Sequence, residues 1–449
     1  MSSSPRRSPG RGVEVSLVPI LSVNFVGTLG FSIVLPFLVF LVTRWGGNAL
    51  VYGVMGATYS GFQLIGAPIL GRWSDVYGRR RILLLSQLGT LASWIIFVAA
   101  FLLPEEPLAT IDSRILGRFA LTLPLIVMFV ARAADGITGG NVSVANAYLA
   151  DITEKKDRNA NFGKMAVSAN LGFILGPALA GLLAATAWGE LLPVLAGLAF
   201  SLVATLIIAL KLPESQPCVL ARDPQQTTVR KVFGQEQREC FEMKAAAKLS
   251  VREVLELPGI PLLMAIYFLV MLGFNFFYIT FPVYAVEGLR WAVSDTGIFF
   301  AVMGLLMVAV QGPVLSRLST RVTEEVLLAV GSFVLAASFL FFTFRSLGLI
   351  YLGVALLALG NGLMWPSVLS LLSKTAGKEV QGAVQGFAGS AGAVASILGL
   401  LVGGLLFEAL EERTFLLSAG VIFAVFLMSL RLLSRRGGGT LEQLDGDDL

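Results

Sequence analysis

The sequence predicts an all-α membrane protein with twelve transmembrane helices arranged in two pseudo-symmetric six-helix bundles. Three observations lead to this prediction: the apolar composition, twelve separate apolar stretches of membrane-spanning length, and an internal repeat. Of the 449 residues, 56% are hydrophobic and only 14% are charged, and the mean hydropathy is +0.80. Because a soluble globular protein carries roughly 25% charged residues, lipid must be the main solvent of this chain.

A helix needs about 20 mainly apolar residues to cross the hydrocarbon core of a bilayer. Lipid cannot satisfy free backbone polar groups, so these segments must be helices, whereas barrel strands would alternate in polarity. The predicted spans are Leu17–Val42, Leu50–Leu70, Ile82–Leu103, Leu121–Leu149, Phe162–Thr186, Leu191–Leu210, Ile260–Val286, Val293–Val314, Val326–Phe344, Leu347–Leu372, Ala383–Phe407 and Phe415–Leu433.

The distribution of basic residues predicts the orientation. With the N-terminus inside, most of the 33 Lys and Arg residues are cytoplasmic, and the outer loops hold only Arg44, Arg114, Arg118, Arg290, Arg345 and Arg413. We therefore expect a multi-pass protein of a bacterial cytoplasmic (inner) membrane with both termini in the cytoplasm.

The predicted domains are an N-terminal cytoplasmic tail (1–14), a first bundle (15–212), a cytoplasmic linker (213–258), a second bundle (259–434) and a C-terminal cytoplasmic tail (435–449). Within the linker, Glu236–Leu257 fits an amphipathic surface helix or a flexible connection equally well. The acidic, glycine-rich C-terminal tail is expected to be disordered. The linker also contains both cysteines, Cys218 and Cys240, which we interpret as free thiols.

The two halves of the sequence repeat each other. Gly163–Leu183 in span 5 aligns with Gly386–Leu406 in span 11, and the end of span 2 (Pro68–Ser74) aligns with the end of span 8 (Pro313–Ser319). Both pairs lie six spans apart, which indicates a duplicated bundle. Such a duplication predicts a pseudo-two-fold axis along the membrane normal and a cavity between the halves.

The most specific local pattern follows span 2 and reads Gly71-Arg72-Trp73-Ser74-Asp75-Val76-Tyr77-Gly78-Arg79-Arg80-Arg81. A basic cytoplasmic loop would explain the arginines but not Asp75 or the glycines. The pattern G-x-x-x-D-x-x-G-R-[KR]-[KR] resembles the signature of the major facilitator superfamily between helices 2 and 3. The second-half copy is degenerate, with Ser316 and Thr320 in place of Gly71 and Asp75.

The resemblance implies that this loop is a gate. In that family the acidic residue caps a helix of the opposite half and pairs with the loop arginine in the outward-facing state, roles that would fall to Asp75 and Arg79. Gly71, Gly78 and Arg80 complete the motif, and Asp151 at the end of span 4 resembles a third charged member of the gate.

Arg132 and Asp135 are the charged residues that lie well inside an apolar span, and their spacing places them on one helical face. Burying a charge there costs at least about 2.5–3.5 kcal/mol on insertion scales, so such residues usually face a cavity and act in function. The alternative to a functional role is that the two residues form a structural ion pair that fixes the packing of the helix. Arg132 also resembles the helix-4 arginine of proton-coupled members, and Asp135 is the first candidate for a titrating carboxylate.

Span 5 contains small residues and a proline in a long pattern: Gly163, Gly172, Gly176, Pro177, Ala180 and Gly181. It resembles the antiporter motif of drug:proton exporters, with Ala180 replacing one glycine. Small residues four positions apart let two helices touch, and Pro177 frees a carbonyl and kinks the helix. Ordinary small-residue packing would explain Gly172 and Gly176 but not the longer pattern.

Helices 1, 4, 7 and 10 line the substrate cavity in this family, and the aromatic side chains with a few amides there suit an amphipathic organic molecule. The alternative is that some of these residues face lipid, because half of any such helix must do so. The predicted cavity residues are Asn24, Phe31, Asn141, Phe274, Asn275, Tyr278, Asn361 and Trp365.

The first half resembles the tetracycline exporters, with one departure. Those proteins have an aspartate in helix 1, and Gly27 takes that position here when Gly30 and Pro36 are aligned. The missing carboxylate argues against a metal–tetracycline complex as the substrate.

Together these features predict a proton-coupled exporter of amphipathic small molecules that works by alternating access. An importer or facilitator on the same fold, and a non-transporting membrane sensor or scaffold, are the alternatives. The chain has no histidine, and no nucleophile–base pair or metal cluster is visible, so an enzyme is not expected. We predict no cofactor, no metal and no nucleic-acid partner, and a monomer.

Overall fold

A computed structural model describes residues 16–113, 116–139, 141–153, 158–215, 219–220, 238–239 and 251–444. Of the predicted site residues, Asp75, Asn141 and Gly163 lie on helices, but their side-chain environments are outside the described part. Both cysteines also lie outside it. The described chain is mostly helical, as the apolar composition predicts.

The first half, up to residue 212, contains helices at the positions of spans 1 to 6. These helices are α1 (Val18–Ile33) and α2 (Leu35–Arg44) in span 1, α3 (Ala49–Tyr77) in span 2, α4 (Arg79–Ala100) in span 3, α5 (Leu123–Thr138) and α6 (Asn141–Ile152) in span 4, α7 (Arg158–Ala184) in span 5, and α8 (Leu191–Lys211) in span 6.

The second half, from residue 259, contains helices at the positions of spans 7 to 12, and a short helix precedes it. In chain order these are α9 (Val251–Leu255), α10 (Ile260–Glu287), α11 (Val293–Ala309), α12 (Leu315–Leu318), α13 (Glu324–Phe341), α14 (Leu347–Leu410) and α15 (Thr414–Leu444).

Three of the predicted spans are interrupted. Span 1 breaks at Val34 because Pro36 has no N–H to donate to the carbonyl of Ser32. Span 4, expected to be continuous, is broken at Gly139, where α5 ends. Span 8 contains the π-helical turn Val310–Val314, which includes a proline, and such turns are a recognised cause of local irregularity in a helix.

The helix α14 covers both predicted spans 10 and 11. Its 64 residues would extend about 96 Å if straight, three times the thickness of a hydrocarbon core. However, Arg345 and Glu412, which flank the two ends of α14, lie within 3.4 Å of each other (Nη2 to Oε2). The chain therefore reverses direction within α14, between the apolar stretch Leu347–Ala376 and the next apolar stretch, which begins at Phe387.

Nine stretches in the described residues are long and apolar enough to cross a membrane. The last of them, Phe387–Leu433, contains predicted spans 11 and 12 and is interrupted by a 3-10 turn at Glu411–Arg413. Predicted spans 2 and 4 are not among these nine stretches, although α3 occupies span 2 and α5 with α6 occupies span 4. The number of twelve spans and the domain boundaries stay predictions.

A β-hairpin lies between α4 and α5, where the sequence analysis expects only a loop. Strands β1 (Pro107–Ser113) and β2 (Gly117–Thr122) pair in antiparallel register. The N–H of Ala120 donates to the carbonyl of Gly46 over 2.8 Å, so β2 also holds the turn between α2 and α3. We call this side of the molecule the hairpin end, and the side that carries Gly71–Arg81 the loop end.

The two halves contact each other at the hairpin end. A Cβ added to Gly53 of α3 would overlap the backbone of Leu400 in α14, and one added to Gly181 of α7 would overlap Gly297 of α11. Small residues at such crossings allow two helix backbones to approach closely. Each crossing joins one helix of the first half to one helix of the second.

The linker is described only in short pieces. Within Glu236–Leu257, strand β4 (Arg238–Glu239) pairs with β3 (Val219–Leu220), and α9 comprises five residues. A single helix over Glu236–Leu257 is therefore wrong at β4, because the backbone there is extended; residues 236–237 and 240–250 lie outside the described part. At the C-terminus, α15 continues through Leu444, beyond the predicted start of the disordered tail.

Candidate functional site

A cavity of about 240 Å³ lies inside the first half. The lining comes from α1 and from α3 to α8, and it combines apolar and aromatic groups with a few polar side chains. Among these lining residues are Asn24, Phe31, Tyr59, Gln63, Thr90, Asp135 and Phe173. The carboxylate of Asp135 is the charged group on this wall, which places one of the two predicted intramembrane charges at a cavity.

Arg132 and Asp135 form the ion pair that their spacing predicts. Arg132 Nη1 lies 3.7 Å from Asp135 Oδ2, and their side chains are only 8% and 17% exposed. The hydroxyl of Thr90 on α4 also hydrogen-bonds Asp135. Asp135 is therefore held between a cation on its own helix and a neutral donor on the neighbouring helix.

The guanidinium of Arg132 packs against aromatic rings. Its Cζ lies 4.6 Å from the ring centroid of Tyr59 and 5.9 Å from that of Phe31, both within the range of a cation–π interaction. Arg132 and Asp135 together line a second space of about 10 Å³, which is about the room that one water needs. Arg132 Nε is buried and has no hydrogen-bond partner in the described structure. This nitrogen could donate to such a water.

Two of the predicted cavity residues, Asn24 and Phe31, line the 240 Å³ cavity. The amide nitrogen of Asn24 donates to Met165 O over 2.9 Å and to Ser168 Oγ over 2.8 Å, which fixes α1 against α7. Asn24 therefore presents its amide oxygen, rather than its donors, for further contacts. Asn141 lies outside the described side chains.

The second-half cavity residues do not line this cavity. Asn275 donates to Ser396 Oγ over 3.0 Å, Trp365 stacks against Tyr267 with 5.5 Å between centroids, and Asn361 is buried. Phe274 and Tyr278 pack on each other with 4.7 Å between ring centroids. In this state of the molecule Asn361 is buried, whereas the other four residues are partly exposed.

The aromatic residues of span 7 pack into an extended aromatic cluster with rings of other segments instead of forming an open wall. Phe277 and Phe281 are fully buried and stack on each other with 5.5 Å between centroids. Tyr278 faces the other half and lies near Tyr52 of α3, which in turn lies near Arg132. An aromatic path therefore connects the second half to the ion pair.

The gate segment is organised around Arg79, and it is helical rather than the predicted loop, because α3 continues as far as Tyr77 and α4 begins at Arg79. Its Nε lies 3.0 Å from Asp151 Oδ2, and its Nη1 donates to Ser74 Oγ over 2.6 Å. Asp151, which resembles a third charged member of the gate, thus contacts Arg79, whereas the environment of Asp75, the predicted partner of Arg79, lies outside the described part. Gly78 has a φ of +100°, a conformation that glycine adopts at little cost. By contrast, a Cβ at Gly71 would meet nothing within 4 Å.

The sequence analysis missed two residues at this site. Glu214 accepts a hydrogen bond from the backbone N–H of Arg80 over 3.1 Å, which caps the N-terminus of α4. Ser215 donates to Asp151 Oδ2 over 3.1 Å, so it shares the oxygen that Arg79 contacts. The available signal was a carboxylate and a hydroxyl directly after the last helix of the first half.

The glycines of α7 have two different partners. Gly172 and Gly176 pack on α1, and Ser32 Oγ donates to Gly172 O over 2.8 Å. Gly181 instead contacts Gly297 across the two halves. Pro177 lies within α7 between these contacts. Among the glycines of the motif whose surroundings are described, Gly181 is therefore the one that contacts the other half.

Comparisons with known proteins agree with this architecture. The class C tetracycline resistance protein of Escherichia coli is 26% identical over 424 residues, covering 94% of this chain and 96% of that protein. Multidrug resistance protein 1 of Bacillus subtilis (strain 168) is 26% identical over 407 residues, covering 88% and 90%. The crystal structure of the human organic anion transporter MFSD10 matches with a TM-score of 0.62 at 21% identity, covering 92% of this chain and 98% of that one, a similarity of fold.

The family model described as "Major Facilitator Superfamily" matches residues 20–400 and 312–446. This match extends over nearly the whole chain, and it agrees with the two contacting helical halves and the loop around Arg79. The chain is therefore a multi-pass membrane transporter that belongs to the Major Facilitator Superfamily.

Proposed function

We propose that this chain is a proton-coupled exporter of amphipathic small organic molecules that works by alternating access. The observation that carries the proposal is the position of Asp135, a carboxylate inside an apolar span that lies on the wall of a cavity among aromatic rings. The names of two relatives, a tetracycline resistance protein and a multidrug resistance protein, support export.

Proton coupling follows from the partners of Asp135. When it is charged, its carboxylate pairs with Arg132 at 3.7 Å; when it is protonated, that attraction is lost. Because a proton or a ligand shifts a conformational equilibrium only through different affinities for its states, this exchange biases which end of the molecule is open. Arg132 would then rely on the rings of Phe31 and Tyr59 for its remaining contacts.

The volume of the cavity agrees with a transporter whose two halves rearrange during transport. Drug-sized sites usually measure about 300–1,000 Å³, and the present cavity of about 240 Å³ is smaller and belongs to one half. We propose that residues of the second half complete the cavity wall in another state of the transport cycle, when the two halves are arranged differently. These residues are Phe274, Asn275, Tyr278, Asn361 and Trp365. Both termini and the loop end would face the cytoplasm of a bacterial cell.

The test uses the purified full-length chain in liposomes with an imposed pH gradient and with tetracycline and ethidium as probes. Wild-type protein should move at least one probe against proton flow, and Asp135→Asn should reduce gradient-driven transport at least about tenfold, as expected when one coupling group is lost. The matched control is Glu105→Gln, because Glu105 is a half-exposed carboxylate paired with Arg44 at the hairpin end. Unchanged gradient-driven transport by Asp135→Asn would remove the coupling role.

A facilitator or importer on the same fold is the second candidate. Its support is the structural similarity to a protein titled an organic anion transporter, which makes an organic anion a necessary third probe. Probe movement that persists at full rate without a pH gradient would favour this candidate over the exporter.

A further inference from the structure

A hydrogen bond between the halves lies outside every motif of the sequence analysis. Glu408, in the last turn of α14, accepts a hydrogen bond from the backbone N–H of Ala49, with 2.9 Å between Ala49 N and Glu408 Oε1. The N–H of Leu50 also interacts with this carboxylate. Because Ala49 and Leu50 begin α3, the contact joins the second half to the first.

The contact completes the N-terminal cap of α3. The first N–H groups of a helix have no acceptor within the helix. In α3, the side chain of Asn48 accepts from the N–H of Val51 over 3.1 Å, which leaves Ala49 and Leu50 to an outside acceptor. A carboxylate is well suited to this position because it is attracted by the positive end of the helix dipole. The first half therefore uses a residue of the second half to cap one of its own helices.

The hairpin lies beside this contact. The carbonyl of Leu116, in the turn between β1 and β2, accepts from Asn48 Nδ2 over 2.9 Å. A Cβ added to the neighbouring Gly117 would lie 2.7 Å from Glu408 Oε2, and the φ of Gly117 is +70°. The turn of the hairpin thus lies against the capped carboxylate, although the Glu408 side chain as a whole stays exposed.

The surroundings also oppose the contact. Glu287, the last residue of α10, lies close enough to Glu408 and to Glu411 for their charges to repel its own. Like charges repel, so the attraction of Glu408 to the N–H groups of α3 is opposed by its repulsion from Glu287. The balance of attraction and repulsion makes the contact one that can be broken and formed again.

We propose that Glu408 is a gating residue: its cap on α3 holds the halves together at the hairpin end, and opening of that end requires the cap to break. The opening step rests on the proposed alternating access. The cap itself is tested without any transport measurement, so the two proposals can fail separately.

The test measures the distance between the halves in the purified full-length chain. Cysteines replacing Leu102 in the first half and Leu347 in the second, which are 84% and 59% exposed, carry nitroxide labels, and the two native cysteines are changed to serine. Double electron–electron resonance should show a roughly threefold or larger increase of the long-distance population in Glu408→Ala, since a charge-assisted bond is lost. Glu408→Gln, which keeps an acceptor without the charge, should shift the population in the same direction by less.

Two control variants distinguish the loss of the Glu408 cap from a general loss of stability. Glu412→Gln removes a neighbouring carboxylate whose partner Arg345 belongs to the same half, and it should leave the distances unchanged. Asn48→Ala removes the other cap of α3 within the first half, so it should lower the melting temperature without changing the distances. Wild-type distances in Glu408→Ala would overturn the proposal, as would an equal shift in Asn48→Ala. If Glu408→Ala does not fold, the absence of a shift in Glu408→Gln is decisive against it.

Discussion

At the residue scale, Arg79 shows how one side chain organises the loop end. Its guanidinium contacts both Asp151 and Ser74, and it is 10% exposed, while Asp151 is 16% exposed. Breaking a buried ion pair from one side costs about 3–5 kcal/mol because the remaining charge loses its partner. We therefore expect Arg79→Ala to lower the free energy of unfolding by about 3 kcal/mol, measured by reversible unfolding in mixed micelles.

The control for this variant is Arg72→Ala. Arg72 belongs to the same basic loop but is exposed, so its removal should change the free energy of unfolding by less than about 0.5 kcal/mol. The loss in free energy of unfolding of Arg79→Lys should lie between those of the two alanine variants, since a lysine keeps the charge but cannot contact two partners as a guanidinium does. Equal stabilities of Arg72→Ala and Arg79→Ala would show that the described contacts of Arg79 contribute nothing.

At the scale of elements, the packing of α7 on α1 depends on glycine. A Cβ at Gly176 would overlap Ser32 Oγ and lie 2.9 Å from the backbone nitrogen of Ile33. Overpacking of this kind typically costs 1–3 kcal/mol. We expect Gly176→Ala to lower the free energy of unfolding by about 2 kcal/mol in the same assay. Gly61→Ala in α3, where an added Cβ meets nothing within 4 Å, should cause no loss. A stable Gly176→Ala variant would mean that α7 can shift away from α1 at little cost.

Helix positions were predictable from sequence because hydropathy is a local property. Each predicted span has a helix at its place, and Arg132 and Asp135 share a face as their three-residue spacing requires. The breaks near Pro36 and at Gly139 follow residue types visible in the sequence, although their effect depends on the surrounding packing. The β-hairpin was missed because its sixteen-residue segment is amphipathic and short, so it resembles a loop.

Contacts between distant elements could not be derived in this way. Glu408 and Ala49 are separated by 359 positions, and nothing in either local sequence signals the partner. The same is true of Ser215 with Asp151. The cavity is a prediction that differs from the structure. From the family resemblance, residues of both halves were expected to line one cavity, whereas the cavity found here is lined by the first half. Which residues line the cavity depends on how the halves are placed, and this placement is a property of the whole molecule.

At the scale of the whole molecule, alternating access requires the crossing of α3 and α14 to open. A Cβ at Gly56 would lie 3.2 Å from Leu400 Cδ1 and 3.7 Å from its Cγ, so cysteines at positions 56 and 400 would face each other across the halves, and we expect oxidation to link them. We expect oxidation of Gly56→Cys/Leu400→Cys, with the native cysteines changed to serine, to abolish transport of the tested probes, and reduction to restore it.

The control for this prediction is a pair of cysteines that links two helices of the same half. A Cβ at Gly353 of α14 would lie 3.1 Å from Phe341 Cβ of α13, and both helices belong to the second half. Oxidised Gly353→Cys/Phe341→Cys should keep at least about half of the transport rate, because rigid-body movement of the halves does not separate these two helices. Full transport by the oxidised Gly56→Cys/Leu400→Cys variant would mean that this crossing stays closed throughout the cycle. The cap of Glu408 on α3 would then be a permanent joint between the halves rather than a gate.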